Sequence, residues 1–235
     1  MDLGSGPGRF LGFVGGRRSR TVALDLSFEM LRFRPVPANP TFRAIARVRA
    51  NALRPPLAPG SCSEVVVFGN ALGFAEVDAE RMLSASEELV APGGTLNVEI
   101  APAAGEKSRY LARLPPGSVA RLLRAPVRGI LPRVESEGFA REPRRKQGTS
   151  AFRRLEATDL TDRWNAKGWS VREILSVAPA LGADPERVAA VRPDAKAWGH
   201  LLELEEHQGR REARWPGAAA ILLSAQRPSR EGMIK

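Results

Sequence analysis

The chain has few of the residues that build disulfides or metal sites. Among its 235 residues there is one cysteine, Cys62, and there are two histidines, His200 and His207. A single cysteine excludes an internal disulfide and any site built from several thiolates. Two histidines seven residues apart fall short of the three or four ligands that a zinc site needs. We therefore expect no metal site.

Long apolar runs are also missing. No run approaches the roughly 20 residues that a membrane-spanning helix needs, and the first residues lack the charged and then apolar pattern of a secretory signal. Hydrophobic residues nevertheless make up 43% of the chain, which is typical of a globular protein. The length suits one α/β domain with a sizeable core and one insertion. We expect a cytoplasmic protein.

Lysine is scarce, although the chain is strongly basic. Lysine and arginine total 36 against 26 acids, a net charge of +10, and 31 of the 36 are arginine. A basic surface attracts phosphate groups. Only one stretch, residues 141–154, is densely basic, and Phe139 and Phe152 are interleaved with it. Aromatic and cationic residues together can bind single-stranded nucleic acid, but a solvated hairpin edge explains the stretch equally well and is our interpretation.

A glycine turn opens the chain. Residues 2–8 read D-L-G-S-G-P-G, and residues 9–14 are predicted to form the helix that follows. Glycines at alternate positions remove the Cβ atoms on one side, so a ligand can lie against the backbone and meet N–H groups at the helix start. A dinucleotide fingerprint is excluded because the third glycine comes one residue early. Asp2 adds a carboxylate at the mouth of the turn, which favours a cationic ligand.

A second carboxylate follows at a distance that nucleotide sites use. Residues 21–27 are predicted to contain a short buried strand with the acid Asp25 at its end, 17 residues after Gly8. In α/β nucleotide sites an acid near this spacing accepts hydrogen bonds from ribose hydroxyls. Ser27 is suited to cap the next helix. We predict that Asp25 is a ribose ligand.

These segments resemble motifs of the class I S-adenosylmethionine-dependent methyltransferases. Residues 2–8 resemble motif I, and residues 22–31, V-A-L-D-L-S-F-E-M-L, resemble the second motif. Residues 51–57, then N-A-L-G-F from Asn70 and P-G-G-T-L from Pro92, follow in the family's order. The domain looks similar to the ubiquinone and menaquinone C-methyltransferase type.

The resemblance implies a fold, a cofactor and a binding site. The expected fold is a Rossmann-like α/β domain with a seven-stranded, mostly parallel sheet and helices on both faces. The expected cofactor is S-adenosylmethionine. Asn51 stands where the family usually has an acid, and a neutral acceptor makes a weaker hydrogen bond to adenine. The residues predicted to bind the cofactor are Asp2, Gly4, Ser5, Gly6, Gly8, Asp25, Leu26, Asn51, Ala52 and Asn70.

Two parts of the chain depart from the simplest version of this fold. Only three residues precede the first glycine, whereas buried strands usually run about five or six residues. We therefore predict a shortened first strand that continues upstream in the gene. Residues 218–225 are predicted to be the last strand. Residues 156–212 are predicted to be a helical insertion and possible substrate lid, within a binding domain formed by residues 1–155 and 213–228.

No catalytic dyad stands out, and the expected chemistry explains why. Transfer of a methyl group from a sulfonium is an in-line displacement that depends on alignment and exclusion of water. By chemistry alone Glu76, Glu99, Tyr110 and His200 could act as a base, and we assign the role to none. The leading function is methyl transfer to a small-molecule or lipid-like acceptor. The alternatives are an RNA or protein methyltransferase that uses residues 141–154, and a non-catalytic cofactor-binding or scaffold protein.

Overall fold

The computed structural model describes residues 1–11, 20–33, 45–75, 78–100, 115–129, 157–177, 185–211 and 220–229. The strands are β1 (Asp2–Leu3), β2 (Thr21–Asp25), β3 (Ile45–Arg49), β4 (Cys62–Val67), β5 (Val90–Ile100), β6 (Ser170–Val177) and β7 (Ala220–Gln226). The helices are α1 (Phe28–Arg32), α2 (Ala71–Phe74), α3 (Ala79–Leu89), α4 (Pro116–Leu122), α5 (Ala157–Ala166), α6 (Pro185–Val191) and α7 (Ala195–Arg211).

The strands form one seven-stranded sheet in the order β3-β2-β1-β4-β5-β7-β6. The first five strands in this order are parallel, and β7 runs antiparallel to both of its neighbours. This confirms the predicted mostly parallel sheet. Because parallel strands end at the same edge, the loops after β1, β2, β3 and β4 meet there.

The first strand is short but central. Asp2 and Leu3 pair with β2 on one side, Asp2 pairs with Val66 of β4 on the other, and Leu3 is fully buried. The neighbouring strand β4 contributes Val65, Val66 and Val67, which are all buried. β-branched residues suit a strand that is covered on both faces. The core of the domain therefore lies directly beneath the glycine turn.

The segment 156–212 is not wholly helical, which corrects the prediction. It contains β6, which pairs with β7 from Ser170 to Val177 and forms an edge of the sheet. Charged residues such as Arg172 and Glu173 interrupt the apolar pattern by which a strand is predicted from sequence. An edge strand tolerates such exposed polar side chains. Trp164 of α5 is fully buried in the main core. The domain boundaries stay a prediction.

A second, smaller core joins helices from two parts of the chain. Helix α4 packs with α6 and α7 through buried aliphatic residues that include Val119, Leu123 and Leu204. His200 of α7 hydrogen-bonds the carbonyl oxygen of Leu123 through Nδ1, at 2.8 Å. This helical cluster uses residues 115–129 as well as 185–211, so it is not confined to the predicted insertion.

Other local predictions shift or fall outside the described residues. Residues 9–11 form turns, because the glycine turn continues through Gly8. The prediction that a helix begins at Arg9 is therefore wrong for these residues. β7 spans Ala220–Gln226, and residues 218 and 219 of the predicted last strand lie outside the described residues. Residues 130–154, with the basic stretch, lie outside the described part of the chain.

Helices α3 and α5 are joined by a buried carboxylate. Glu87 of α3 is 6% exposed and accepts hydrogen bonds from Arg163 at 2.7 and 2.9 Å and from the indole N–H of Trp164 at 3.0 Å. Lys167 also pairs with it. The pKa of Arg163 is raised mainly by its hydrogen bond to Glu87. A buried charge is tolerated when it is paired in this way.

We predict that Glu87→Ala lowers the free energy of unfolding by about 3 kcal/mol, because it removes the acceptor of the Arg163 Nε–H and of the Trp164 indole N–H, while Arg163 keeps its bonds to Glu80 and Ser84. Chemical denaturation measures the change. Asp78→Ala is the control, since its ion pair with Arg81 is exposed and should contribute less than about 1 kcal/mol. Equal effects of the two variants would contradict this account.

Candidate functional site

The glycine turn is tied to the neighbouring strand by its backbone. The N–H groups of Gly4 and Ser5 both donate to the carbonyl oxygen of Leu24, at 2.9 and 3.0 Å. Gly4, Gly6 and Gly8 have φ values of +73°, +52° and +89°, which side-chain-bearing residues rarely adopt. The turn therefore needs these glycines for its backbone conformation.

The three glycines face different surroundings. A Cβ on Gly4 would lie 2.8 Å from the Cβ of Ala71, and a Cβ on Gly8 would lie 2.5 Å from Leu11 Cδ1. A Cβ on Gly6 would meet nothing within 4 Å. Gly4 and Gly8 thus allow close packing within the protein, whereas Gly6 leaves open backbone. That opening is where a ligand can lie.

Asp25 lies at the end of β2, beside this opening. Its carboxylate accepts hydrogen bonds from the N–H of Gly6 at 2.7 Å and from the N–H of Ser27 at 2.8 Å. The Ser27 hydroxyl in turn accepts from the N–H of Met30 and caps α1, as the sequence predicted. Each carboxylate oxygen can accept more than one hydrogen bond, so the group can still receive ligand hydroxyls.

A cavity of about 760 Å³ opens above the turn. Its volume lies within the roughly 300–1,000 Å³ of small-molecule sites. Its described lining comes from the turn, from the ends of β2, β3 and β4, and from α1, α2 and the start of α3. Predicted cofactor residues in the lining are Gly4, Ser5, Gly6, Asp25, Leu26, Asn51 and Ala52.

The sequence predicted Asp2 at the mouth of the turn, and the structure shows that this prediction is wrong. It is 1% exposed and lies beneath the turn, because β1 is paired on both sides. Its Oδ2 atom has no hydrogen-bond partner within the described chain. Burial raises the pKa of Asp2 to about 6, and the nearby Asp25 carboxylate adds to the increase. Gly8 also lies outside the lining.

The two asparagines are held by local contacts. Asn51 is exposed, and its side-chain oxygen accepts from the N–H of Leu53 at 2.9 Å. Asn70 adopts a left-handed conformation, with φ of +61°, and is absent from the lining. Its buried Oδ1 lacks a hydrogen-bond partner in the described chain and lies 2.2 Å from where a Cβ on Gly73 would be. Its role as a cofactor ligand stays a prediction.

Neither Glu99 nor His200, the two candidate bases within the described residues, lines the cavity. Glu99 accepts from the N–H of Gly69 at 2.8 Å and so holds the loop after β4. His200 belongs to the second helical cluster. Glu76 and Tyr110 lie outside the described residues.

Several lining residues carry no motif signal and escaped the sequence analysis. Phe10 and Phe68 meet edge to face, with ring centroids 5.4 Å apart, and form one wall. Met30, Phe74 and Met82 add apolar surface from three different helices. Their amphipathic spacing is indistinguishable from core packing, so only their place above the sheet edge reveals them.

Comparison with known proteins now adds to this geometry. A family model described as a methyltransferase domain matches residues 1–98. No curated protein matches the chain.

Over these residues the chain is similar to a methyltransferase domain.

Solved structures share the fold of this chain at low identity. A S-adenosylmethionine-dependent methyltransferase from Methanosarcina mazei is 13% identical with a TM-score of 0.53, covering 97% of this chain and 91% of that one. SpnF, a (4+2) cyclase, is 13% identical with a TM-score of 0.53 and coverages of 97% and 73%. A chain from the Haloferax volcanii complex between the Trm112 methyltransferase activator and a methyltransferase is 17% identical with a TM-score of 0.50. The match covers 97% of this chain and 81% of that one. These likenesses show the fold alone.

S-adenosylmethionine, the cofactor of this methyltransferase family, is chemically compatible with the cavity. It carries a positively charged sulfonium and a ribose. The open backbone at Gly6, the Asp25 carboxylate and the unpartnered Oδ2 of Asp2 offer close approach, a hydroxyl acceptor and negative charge. No helix in the described part of the chain is long and apolar enough to cross a membrane.

We predict that Asp2→Asn stabilises the cofactor-free protein in a pH-dependent way. Because the folded-state pKa of Asp2 is about 6 and its ordinary value is 3.8, ionisation destabilises the fold as pH rises through that interval. Two pKa units correspond to about 3 kcal/mol. The variant should therefore gain about 3 kcal/mol at pH 7.5 and less than about 1 kcal/mol at pH 4.

Thermal and chemical unfolding at the two pH values measures this difference. Asp159→Asn removes an exposed acid of α5 and serves as the control. A gain for Asp2→Asn that is the same at both pH values would refute the assignment of the burial cost to ionisation.

Proposed function

We propose that this methyltransferase binds S-adenosylmethionine along the cavity and transfers its methyl group to a small-molecule or lipid-like acceptor. In this arrangement the methionyl part lies against Gly4 to Gly6. The ribose hydroxyls donate to Asp25, and the adenine lies between Asn51 and Leu53. We place the reaction in the cytoplasm.

The observation that carries the proposal is the convergence of Gly6 and Asp25 on one cavity. Gly6 is the glycine of the turn whose missing side chain leaves open space, and its N–H lies 2.7 Å from the Asp25 carboxylate. An open backbone and an acid at the same sheet edge suit a ligand with a sugar and a positive charge. The family match to residues 1–98 supports this reading.

The chain's contribution to catalysis is alignment and exclusion of water. S-adenosylmethionine supplies a methyl group that its positive sulfur already activates. The protein holds the donor through the turn and Asp25, which converts the encounter with the acceptor into an oriented one. Met30, Phe74 and Met82 provide apolar surface that keeps water from the bound reactants. No general base is required for an acceptor that is already nucleophilic.

The decisive experiment is calorimetric titration with S-adenosylhomocysteine, the product form of the cofactor. Wild-type protein should bind it, and Asp25→Ala should weaken binding about 10- to 100-fold, because a charge-assisted hydrogen bond contributes about 1.5–3 kcal/mol. Glu29→Ala removes an exposed acid of the adjacent helix α1 and should leave affinity unchanged. Equal affinity of wild type and Asp25→Ala would refute the binding mode.

A second candidate function follows from the basic stretch at residues 141–154. An RNA or protein methyltransferase would use these cations to hold an acidic substrate. Reversing the charge at Arg144, Arg145 and Lys146 should then abolish salt-sensitive RNA binding, measured by fluorescence anisotropy. RNA binding that ignores salt and these changes would remove this candidate.

The third candidate, a non-catalytic protein, is separated by the same calorimetry. SpnF is named as a cyclase, so the fold alone does not fix the reaction. A scaffold with an impaired pocket should release no heat with either S-adenosylmethionine or S-adenosylhomocysteine.

A further inference from the structure

We infer that the acceptor is an apolar molecule carrying an anionic group, and that Arg9 binds that group. The inference rests on the proposed function, because it assigns the acceptor to the part of the cavity beyond the cofactor. Two independent features of the cavity support it: one unpaired cation and an exposed apolar rim.

Arg9 is the cation of this cavity. It is the only lysine or arginine among the described lining residues. Its guanidinium carbon lies 5.7 Å from the ring centroid of Phe10. Its Nη2 atom lies 3.6 Å from where a Cβ on Gly69 would be, so the charge stands over the loop after β4. Arginine is well suited to bind carboxylates through two parallel hydrogen bonds.

The guanidinium of Arg9 has no hydrogen bond and no ion pair with another residue of the described chain. The two carboxylates that line the cavity have other partners. Asp25 accepts from the N–H groups of Gly6 and Ser27, and Asp78 pairs with Arg81 at 2.9 Å. A ligand anion can therefore take the open position at Arg9.

The rim of the same cavity is apolar and unusually exposed. Leu26, Met30 and Phe74 line the cavity while remaining 65%, 49% and 74% exposed. Large exposed apolar side chains that cluster at one opening mark a binding surface. Phe74 follows Gly69, over which Arg9 stands, by five residues, and both Phe74 and Arg9 line the cavity.

The combination selects one class of ligand. A neutral apolar molecule would leave the positive charge of Arg9 without an ionic partner, and a small polar anion would leave the apolar rim exposed to water. A carboxylate attached to an apolar or aromatic body satisfies both. The cofactor also carries a carboxylate on its methionyl part, so the experiment must separate these two sources of the same chemistry.

The test uses two matched probes, 4-phenylbutyrate and its uncharged amide, titrated into protein saturated with S-adenosylhomocysteine and followed by NMR. Wild-type protein should bind the carboxylate about tenfold more tightly than the amide. Arg9→Gln should remove that preference, and Phe74→Ser should weaken both probes. Leu202→Ser is the matched control, because Leu202 is 52% exposed on α7 and lies outside the cavity lining.

The outcomes separate this inference from the proposed function. Failure of S-adenosylhomocysteine to bind wild-type protein refutes the proposed function itself. Normal cofactor binding with no preference for the carboxylate probe, or a preference that survives Arg9→Gln, refutes only the acceptor class.

A further arm identifies the source of the anion. Methylthioadenosine lacks the amino acid part of the cofactor. If Arg9→Gln weakens S-adenosylhomocysteine tenfold and leaves methylthioadenosine unchanged, Arg9 binds the cofactor's own carboxylate and the inference is overturned. Unchanged affinity for both nucleosides, with loss of the phenylbutyrate preference, supports it.

Discussion

The hydrogen bond from the Gly6 N–H to the Asp25 carboxylate joins the two segments on which the site depends. Together with the bonds from Gly4 and Ser5 to the Leu24 carbonyl, it fixes the glycine turn against the end of β2. The turn can occupy this position only because its glycines adopt positive φ values. The central place of β1 in the sheet then brings the ends of β2, β3 and β4 around the same opening.

Within the described part of the chain, two buried carboxylates have opposite surroundings. Glu87 receives hydrogen bonds from Arg163, Trp164 and Lys167, so its charge stabilises the packing of α3 on α5. Asp2 is equally buried, yet one of its oxygens lacks a partner in the described chain and its pKa is raised to about 6. Strain of this kind tends to occur at functional sites, where a ligand offsets it. The position of Asp2 directly below the turn agrees with that role.

The sequence was sufficient for the parts of the site that depend on local chemistry. Glycine spacing, an acid at the end of a buried strand and a serine cap are local signals. The structure has the glycine turn, places Asp25 at the end of β2 and caps α1 with Ser27, and the binding roles of Gly6 and Asp25 stay predictions. Asp2 was misplaced because its burial depends on two strands that pair with β1 from distant parts of the chain. β6 was missed because an edge strand needs no continuous apolar pattern. Arg9 belongs to no sequence motif, and its position at the cavity depends on the Gly69 loop, which folds beneath it.

The central claim is that the left-handed glycine turn presents open backbone to the cofactor at Gly6. It is tested most directly by the affinity of Gly6→Val for S-adenosylhomocysteine, compared with that of Gly60→Val. Gly60 also has positive φ, and the nearest atom to its added Cβ would be 3.8 Å away, but it lies outside the cavity lining. Both variants carry similar backbone strain, so their stabilities should fall together. The account predicts that only Gly6→Val loses affinity, by about tenfold or more, which is about 1.4 kcal/mol. Unchanged affinity in a folded Gly6→Val protein would contradict it.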